Sequence, residues 1–517
     1  MNTPAACLAA PFGTIPALIR LHAREAPQRR ALLLDGQLLD YAALDAAMDR
    51  VAAALQRDGV GPGEAVALCA ATSLGYAVTY LGALRAGVVV APLAPGSTAD
   101  SLELMLQDAG ARLLFTDCDT AQLLQGRAAL LPRVMLDDEA HGMPWGAWLA
   151  PEGTGAVDAP VEADWPFNII YSSGTTGEPK GIVQPHGMRW VHVQRGAAYD
   201  YGPQTVTLLS TPLYSNTTLV VFFPTLAYGG TVVLMPRFDA LAWLKLAQTE
   251  HVTHTMLVPV QYQRLLAHPA FDAHDLGSFH MKFCTSAPFS AALKAEVLAR
   301  WPGGLVEFYG MTEGGGTCIL DAHLHPDKLH TVGKPAEGHD IRLIDEQGHE
   351  VAPGEAGEVV GRSPGMMKGY HRRPDKTREA EWYARDGQRF IRTGDIGRFD
   401  AQGFLTLFDR RKDMIISGGF NIYPSDLEAV LRQHPAVQDV AVVGVPSAQW
   451  GETPVAYVVP GGAPATAPDE LRTWLNQRVG KTQRLTDLRY LAELPRNAIG
   501  KVLKRELRAL YEGGRPK

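Results

Sequence analysis

Leu44, Met48, Val51 and Leu55 recur at the spacing of one helix face, and Gly59 stands where a helix C-cap falls. A short apolar run at 65–69 follows, then a second amphipathic segment at 74–84 and another apolar run at 88–93. Short continuous apolar runs alternating with helical segments predict parallel strands covered on both faces. The alternation resumes over 243–283. The longest apolar run, 219–235, is broken by Pro224, Gly229 and Gly230, which predicts a strand–loop–strand in a core rather than a membrane span. Near residue 340 the texture changes to short β segments (341–344 and 357–361) with a turn at 345–348. After the charged stretch 409–413 the pattern becomes a compact α+β unit of about a hundred residues, which places a domain boundary at 410–412. The expected fold is α/β: a large N-terminal domain of parallel-rich sheets covered by helices over 1–409, with a small β subdomain at about 335–409, and a C-terminal α+β domain over 413–517.

Composition narrows the function. The 517 residues are 46% apolar and 20% charged, a globular balance, with a net charge of −7 that excludes nucleic-acid binding by bulk charge. The charge is uneven. Residues 481–517 carry ten Lys/Arg against four Asp/Glu, so a basic end on an acidic body is either a local anion site or a solvated helix. The five cysteines (Cys7, Cys69, Cys118, Cys284, Cys318) are widely spaced, with no CxxC pair. They fit neither a disulfide framework nor a zinc site, and point to a reducing cytoplasm. The N-terminal stretch has no basic start followed by a continuous apolar segment, so no signal peptide is expected.

Four segments carry candidate chemistry. Tyr171-Ser-Ser-Gly-Thr-Thr-Gly-Glu-Pro-Lys180-Gly181 follows the apolar run 167–171. Glycines there let backbone N–H groups face a concavity, and hydroxyls plus a lysine add donors and charge, as a polyphosphate requires. The spacing is not the Walker pattern, because Pro179 precedes Lys180. In Tyr309-Gly-Met-Thr-Glu313, read alone, Thr312 and Glu313 fit a helix cap and a solvated acid. Arg392-Thr-Gly-Asp395 supplies an aspartate suited to accept from a ribose diol. Pro495-Arg-Asn-Ala-Ile-Gly500-Lys501 presents a lysine after a turn glycine, or an ordinary surface lysine.

Together, in this order, the four segments resemble the adenylate-forming superfamily: acyl-CoA synthetases, peptide-synthetase adenylation domains and luciferases. The resemblance runs from about Asp40 to Lys501. It implies that Ser172, Ser173, Gly174, Thr175, Thr176 and Lys180 cradle the ATP phosphates. It gives Tyr309 and Thr312 the adenine and α-phosphate, Glu313 the Mg²⁺, and Asp395 and Arg410 the ribose. Lys412 takes the hinge position of a mobile C-terminal domain, and Lys501 the lysine active in adenylate formation. The implied chemistry is attack of a carboxylate on the α-phosphorus of ATP, then thioester formation.

Coenzyme A as second substrate rests on Trp450-Gly451-Glu452, which resembles the segment meeting its nucleotide, and on Ser417-Gly418-Gly419, which resembles the pantetheine tunnel. Lys481 and Arg484 are candidates for its phosphates. The resemblance maps the acid pocket to Tyr214, Ser215, Thr217, Thr285, Ser286, Ala287 and Gly310, and places Glu307 and Phe308 with Tyr309 among the nucleotide-binding residues. Departures collect here. Ser215 stands where many relatives carry a gating histidine, Glu307 and Phe308 replace Gln and Gly, and Thr285-Ser286 replace smaller residues. Positions 214–221 hold neither the acid that fixes an α-amino group nor the arginine a malonate-type substrate wants. The expectation is a carboxylate–CoA ligase for a small or medium apolar or aromatic acid, a small-molecule partner, with no nucleic acid or membrane span and a homodimer left open. The alternative is a stand-alone adenylating enzyme passing its acyl group to a carrier protein or amine. A non-catalytic binding module is disfavoured by the intact Lys180, Glu313, Asp395 and Lys501.

Overall fold

A computed structural model describes residues 3–127, 131–137, 141–172, 179–410, 413–417, 420–447, 450–461, 466–480, 483–497 and 500–513. The chain forms two compact units, one of residues 1–329, 335–340 and 361–391, the other of 330–334, 341–360 and 392–517.

The first unit carries two large sheets. One has eight strands, with Ala65–Cys69, Val89–Pro92 and Pro166–Ser172 parallel at its centre. Lys180–Pro185 then turns back antiparallel to Pro166–Ser172, and Gly369–Tyr370 adds to its other edge. The central strands are fully buried, as continuous apolar runs demand. The other sheet runs in spatial order Thr317–Asp321, Gly304–Gly310, Met281–Cys284, His254–Leu257, Val206–Leu209, Thr231–Leu234, Arg30–Leu34 and Gln37–Asp40.

The helix Tyr41–Arg57 buries Leu44, Met48, Val51 and Leu55, and Gly59 adopts φ +71° just past its end. The helix Leu74–Arg85 forms as expected but is not amphipathic: Tyr76 to Arg85 are all buried. Gly82 lets it close on its neighbour, since a Cβ there would lie 2.5 Å from Val51 Cβ. The strand–loop–strand expectation for 219–235 is overturned. Asn216–Ala227 is a helix, capped by Ser215 and carrying Pro224 inside, and only Thr231–Leu234 is a strand. Burial on nearly every face removes the helical period from the sequence, and Pro224 imitates a break.

The strands Asp340–Ile344, Gly357–Arg362, Arg389–Phe399 and Leu405–Arg410 include the expected short β segments. A separate sheet is built on the long hairpin Val437–Ser447 and Gly451–Pro460. Its alternation sends Val440 and Val442 to one apolar cluster with Leu427 and Leu471, and Ala441 and Val443 to another with Leu507 and Tyr511. Among the described residues no helix is long and apolar enough to cross a membrane.

Candidate active site

The phosphate-loop candidates Ser173, Gly174, Thr175 and Thr176 lie outside the described residues, as do Lys412, Gly418, Gly419 and Lys481. The strands that deliver the loop are present: Pro166–Ser172 runs into it and Lys180–Pro185 leaves it, with Ser172 in register with Lys180. At its entrance the Tyr171 hydroxyl donates to Asp108 Oδ2 at 2.7 Å, so burial and that carboxylate push the phenol well up.

Lys180 and Glu313, from segments over 130 residues apart, meet through Tyr370. The Lys180 Nζ lies 5.5 Å from the Tyr370 ring centroid, and the Tyr370 hydroxyl donates to Glu313 Oε1 at 2.8 Å. Backbone bonds hold the same corner: the Met367 amide donates to the Glu313 carbonyl at 2.8 Å and the His371 amide to the Gly181 carbonyl at 2.7 Å. Glycines permit the approach, because a Cβ on Gly314 would stand 2.1 Å from the Gly365 carbonyl oxygen and one on Gly361 would stand 1.8 Å from that of Gly315. Tyr370 escaped the sequence reading; a lone tyrosine after Met366-Met-Lys-Gly369 has no chemical signature. Glu313 presents one carboxylate, and the described residues hold no cluster of three His, Cys, Asp or Glu. That suits a magnesium ion held chiefly by phosphate oxygens and water, and does not suit a protein-caged metal.

Behind this corner a buried chain supports Thr312. Gln184 Nε2 donates to the Thr312 carbonyl at 2.7 Å, and its Oε1 accepts from Arg189 Nη2. Arg189 is 1% exposed and rests over the Phe167 and Phe223 rings, and burial pulls its guanidinium down to about 10. Neither residue was singled out by the sequence, because each looks like an ordinary polar position.

The acid-pocket candidates converge. The strand Gly304–Gly310 alternates faces, placing Phe308 and Gly310 together, opposite Ile319 and Thr317 of the next strand. Phe308 stacks on Phe283 at 5.6 Å and meets Tyr199 edge-on at 5.8 Å, and Thr285 Oγ1 donates to its carbonyl at 2.8 Å. Ser286, beside Ala287, takes φ +79°, a region that costs a non-glycine residue energy, and its hydroxyl bonds that of Thr217 at 2.5 Å. Ser215 caps the helix Asn216–Ala227 through the Thr217 amide, and Tyr214, ahead of it, is half-buried, which raises its phenol. Glu307 points the other way: it is 5% exposed and ion-paired with buried Lys294, while Tyr309 shares its face of the strand.

In the second unit, Asp395 lies in register with Arg410 on antiparallel strands, and its amide donates to Thr393 Oγ1 at 3.0 Å. Glu358 locks the base of this hairpin to Arg392 at 2.5 Å. Lys501 ends a turn set by Gly500 at φ +75°, its amide donating to Asn497 Oδ1 at 2.9 Å. Arg496 fixes the turn by donating to the Gly500 carbonyl at 2.5 Å and to Asp439 at 2.6 Å. Ser417 pairs with Gly451, whose φ is +80°, so the two candidate coenzyme A segments adjoin, with Trp450 and Ile416 both about half exposed. Arg484 is exposed. Much of the basic end is internally neutralised: Lys504 pairs with Glu428 at 3.2 Å, Arg508 with Asp413 at 3.0 Å and Arg489 with Asp487 at 3.0 Å.

The family described as AMP-binding enzyme matches residues 19–371, and that described as AMP-binding enzyme C-terminal domain matches 426–501. A feruloyl-CoA synthase of Amycolatopsis is 36% identical over 498 residues, 95% of this chain and 97% of that protein. A fatty acid–[acyl-carrier-protein] ligase, ScoC of Streptomyces coeruleorubidus, is 32% identical over 95% of each chain. The crystal structure of ATP-bound MatB from Rhodopseudomonas palustris superposes with a TM-score of 0.87 at 29% identity, over 97% of this chain and 99% of that one. The chain belongs to the AMP-binding, adenylate-forming enzymes.

Proposed function

We propose that the protein is an AMP-forming carboxylate–CoA ligase that joins a small or medium acid, apolar or aromatic along its body, to coenzyme A through an acyl-adenylate. The observation that carries the reading is the corner where Lys180 and Glu313 meet on Tyr370, together with the candidate acyl wall of Phe308 and the Thr217–Ser286 hydroxyl pair. A cation and a carboxylate fixed beside a phosphate loop are what ATP with magnesium needs, and an apolar wall is what an uncharged acyl body needs. When bound, magnesium would rest on Glu313 and supply charge neutralisation for the leaving pyrophosphate. Lys501 bridges the substrate carboxylate and the α-phosphate during adenylation, and Asp395 with Arg410 orients the ribose. Phe308 limits the depth of the acyl site. The segment 410–412 serves as the hinge of a mobile domain over 413–517. The five cysteines are free, four of them buried, which supports a reducing cytoplasm.

The second reading, transfer to a carrier protein, is favoured by the acceptor named for the Streptomyces coeruleorubidus relative. A panel of carboxylic acids with ATP, scored for pyrophosphate with and without coenzyme A, separates the two. Thioester and AMP formed only with coenzyme A support the ligase, whereas adenylate that never becomes thioester favours the carrier-protein enzyme.

A further inference from the structure

The helix His186–Arg195 ends in a group of cationic side chains that the adenylation chemistry leaves unused. Arg195 Nη2 lies 3.2 Å from His339 Nε2. His339 Nδ1 is already engaged, accepting from the Thr317 amide at 2.9 Å. A neutral imidazole has one proton, so an Nδ1 that accepts puts that proton on Nε2. Two N–H donors, one from Arg195 and one from His339, therefore face each other across 3.2 Å. Neither can satisfy the other; an oxygen acceptor placed between them satisfies both.

The charge balance points the same way. Among the described residues no carboxylate pairs with Arg195, and the groups it faces are His339, Tyr199 and, one turn back, His192. Burial lowers the guanidinium from its ordinary value, and burial with Arg195 lowers His339 to about 4, so the imidazole is neutral near pH 7. Arg195, His339 and His192 are each partly buried in the first unit.

The pair adjoins the candidate acyl-site residues. Thr317, whose amide holds His339, is in register with Gly310, and Tyr199, which feels the Arg195 charge, packs edge-on against Phe308. We infer that Arg195 and His339 form the far end of the acid pocket and select acids bearing an oxygen acceptor, a second carboxylate or a phenol, remote from the carboxylate being activated. This inference rests on the ligase reading above.

The test is ATP–pyrophosphate exchange by the full-length enzyme with acids matched in length and differing at the 4-position only: methyl, hydroxyl or carboxylate, on both benzoate and cinnamate frames. Wild type should show kcat/KM at least about 10-fold higher for the hydroxyl or the carboxylate member than for the methyl member. A hydroxyl preference identifies a neutral phenol and a carboxylate preference an anion; either supports the subsite. In Arg195→Met the ratio of acceptor-bearing to methyl acid should fall about 10–100-fold, and Arg195→Lys should restore part of it. Equal kcat/KM for the three members in wild type overturns the inference, as does a ratio unmoved in Arg195→Met. Because the methyl acid is each variant's internal reference, a partly unfolded preparation leaves the ratio readable. His339→Gln, which removes one of the two donors, should lower the same ratio, and an unmoved ratio there also counts against the subsite. No exchange with any carboxylic acid sinks the ligase reading instead.

Discussion

Tyr370 donates its hydroxyl to Glu313 at 2.8 Å from a two-residue strand that pairs with Ile182 and Val183, so the strand that follows the candidate phosphate loop also anchors the strand bearing the partner of the candidate metal-site carboxylate. A hydrogen bond to a charged group is worth about 1.5–3 kcal/mol. Tyr370→Phe should therefore cut ATP–pyrophosphate exchange about 10–100-fold, with more magnesium needed for half-maximal rate. An unaltered magnesium dependence removes Tyr370 from the metal site.

The position of Phe308 predicts acyl-length selectivity. Its ring is fixed by Phe283 and Tyr199, so it cannot swing aside for a long chain. Wild type should handle palmitate poorly, and Phe308→Gly should move preference toward longer acids by about 1–3 kcal/mol per methylene or ring contact. A wild type that prefers palmitate-length acids refutes the short pocket.

Lys501 should be needed in one half-reaction only. Lys501→Ala is expected to slow acyl-adenylate formation roughly 10²–10³-fold while converting supplied acyl-adenylate and coenzyme A to thioester almost normally. Gly419→Leu should do the reverse, by blocking the pantetheine channel. Single-turnover rates decide: equal losses in both steps for Lys501→Ala are incompatible with two separate catalytic faces.

The Lys294–Glu307 pair predicts a stability effect independent of catalysis. Both groups are nearly sealed from solvent, so Lys294→Met strands a buried carboxylate and should cost about 3–5 kcal/mol. Adding Glu307→Leu should recover most of it. Urea midpoints of the single and double variants measure this, and a double variant no better than the single excludes charge stranding as the cause.

Two buried histidines set an acid limit. Burial lowers His186 and His254 to about 4, whereas both titrate near 6.5 when unfolded. Below pH 6.5 the unfolded chain takes up protons that the folded one refuses, so stability is full above that pH and is lost as pH falls toward 4. Each contributes a slope of about 1.4 kcal/mol per pH unit inside that window. Urea midpoints between pH 7 and 5 should fall accordingly, and a flat profile would mean that neither histidine stays neutral in the fold.

The sequence disclosed the chemistry better than the surroundings. Alternating short apolar runs and helices were legible because both faces of the central strands are buried, and the segment 171–181 stood out because its residue types are unusual together, whereas Tyr309–Glu313 drew meaning only from its order among the other segments. The helix Asn216–Ala227 was not, since a helix buried nearly all round has no period to read. Tyr370, Gln184 and Arg195 were invisible for another reason: each acts on a partner distant along the chain, and only the tertiary fold brings them together.

The strand Gly304–Gly310 separates what evolution is free to rewrite from what it must keep. Odd positions 307 and 309 and even positions 308 and 310 look to opposite sides, the former holding a core ion pair and the latter facing the proposed acyl site. Substitutions at 308 and 310 can retune acid choice while leaving the Lys294–Glu307 pair intact. A one-residue insertion or deletion would exchange the two sides, driving a carboxylate into the pocket and a phenylalanine against a buried ammonium. New acid preferences in this lineage should therefore arise by point replacement at fixed strand length, and variation in length should be confined to the loops on either side.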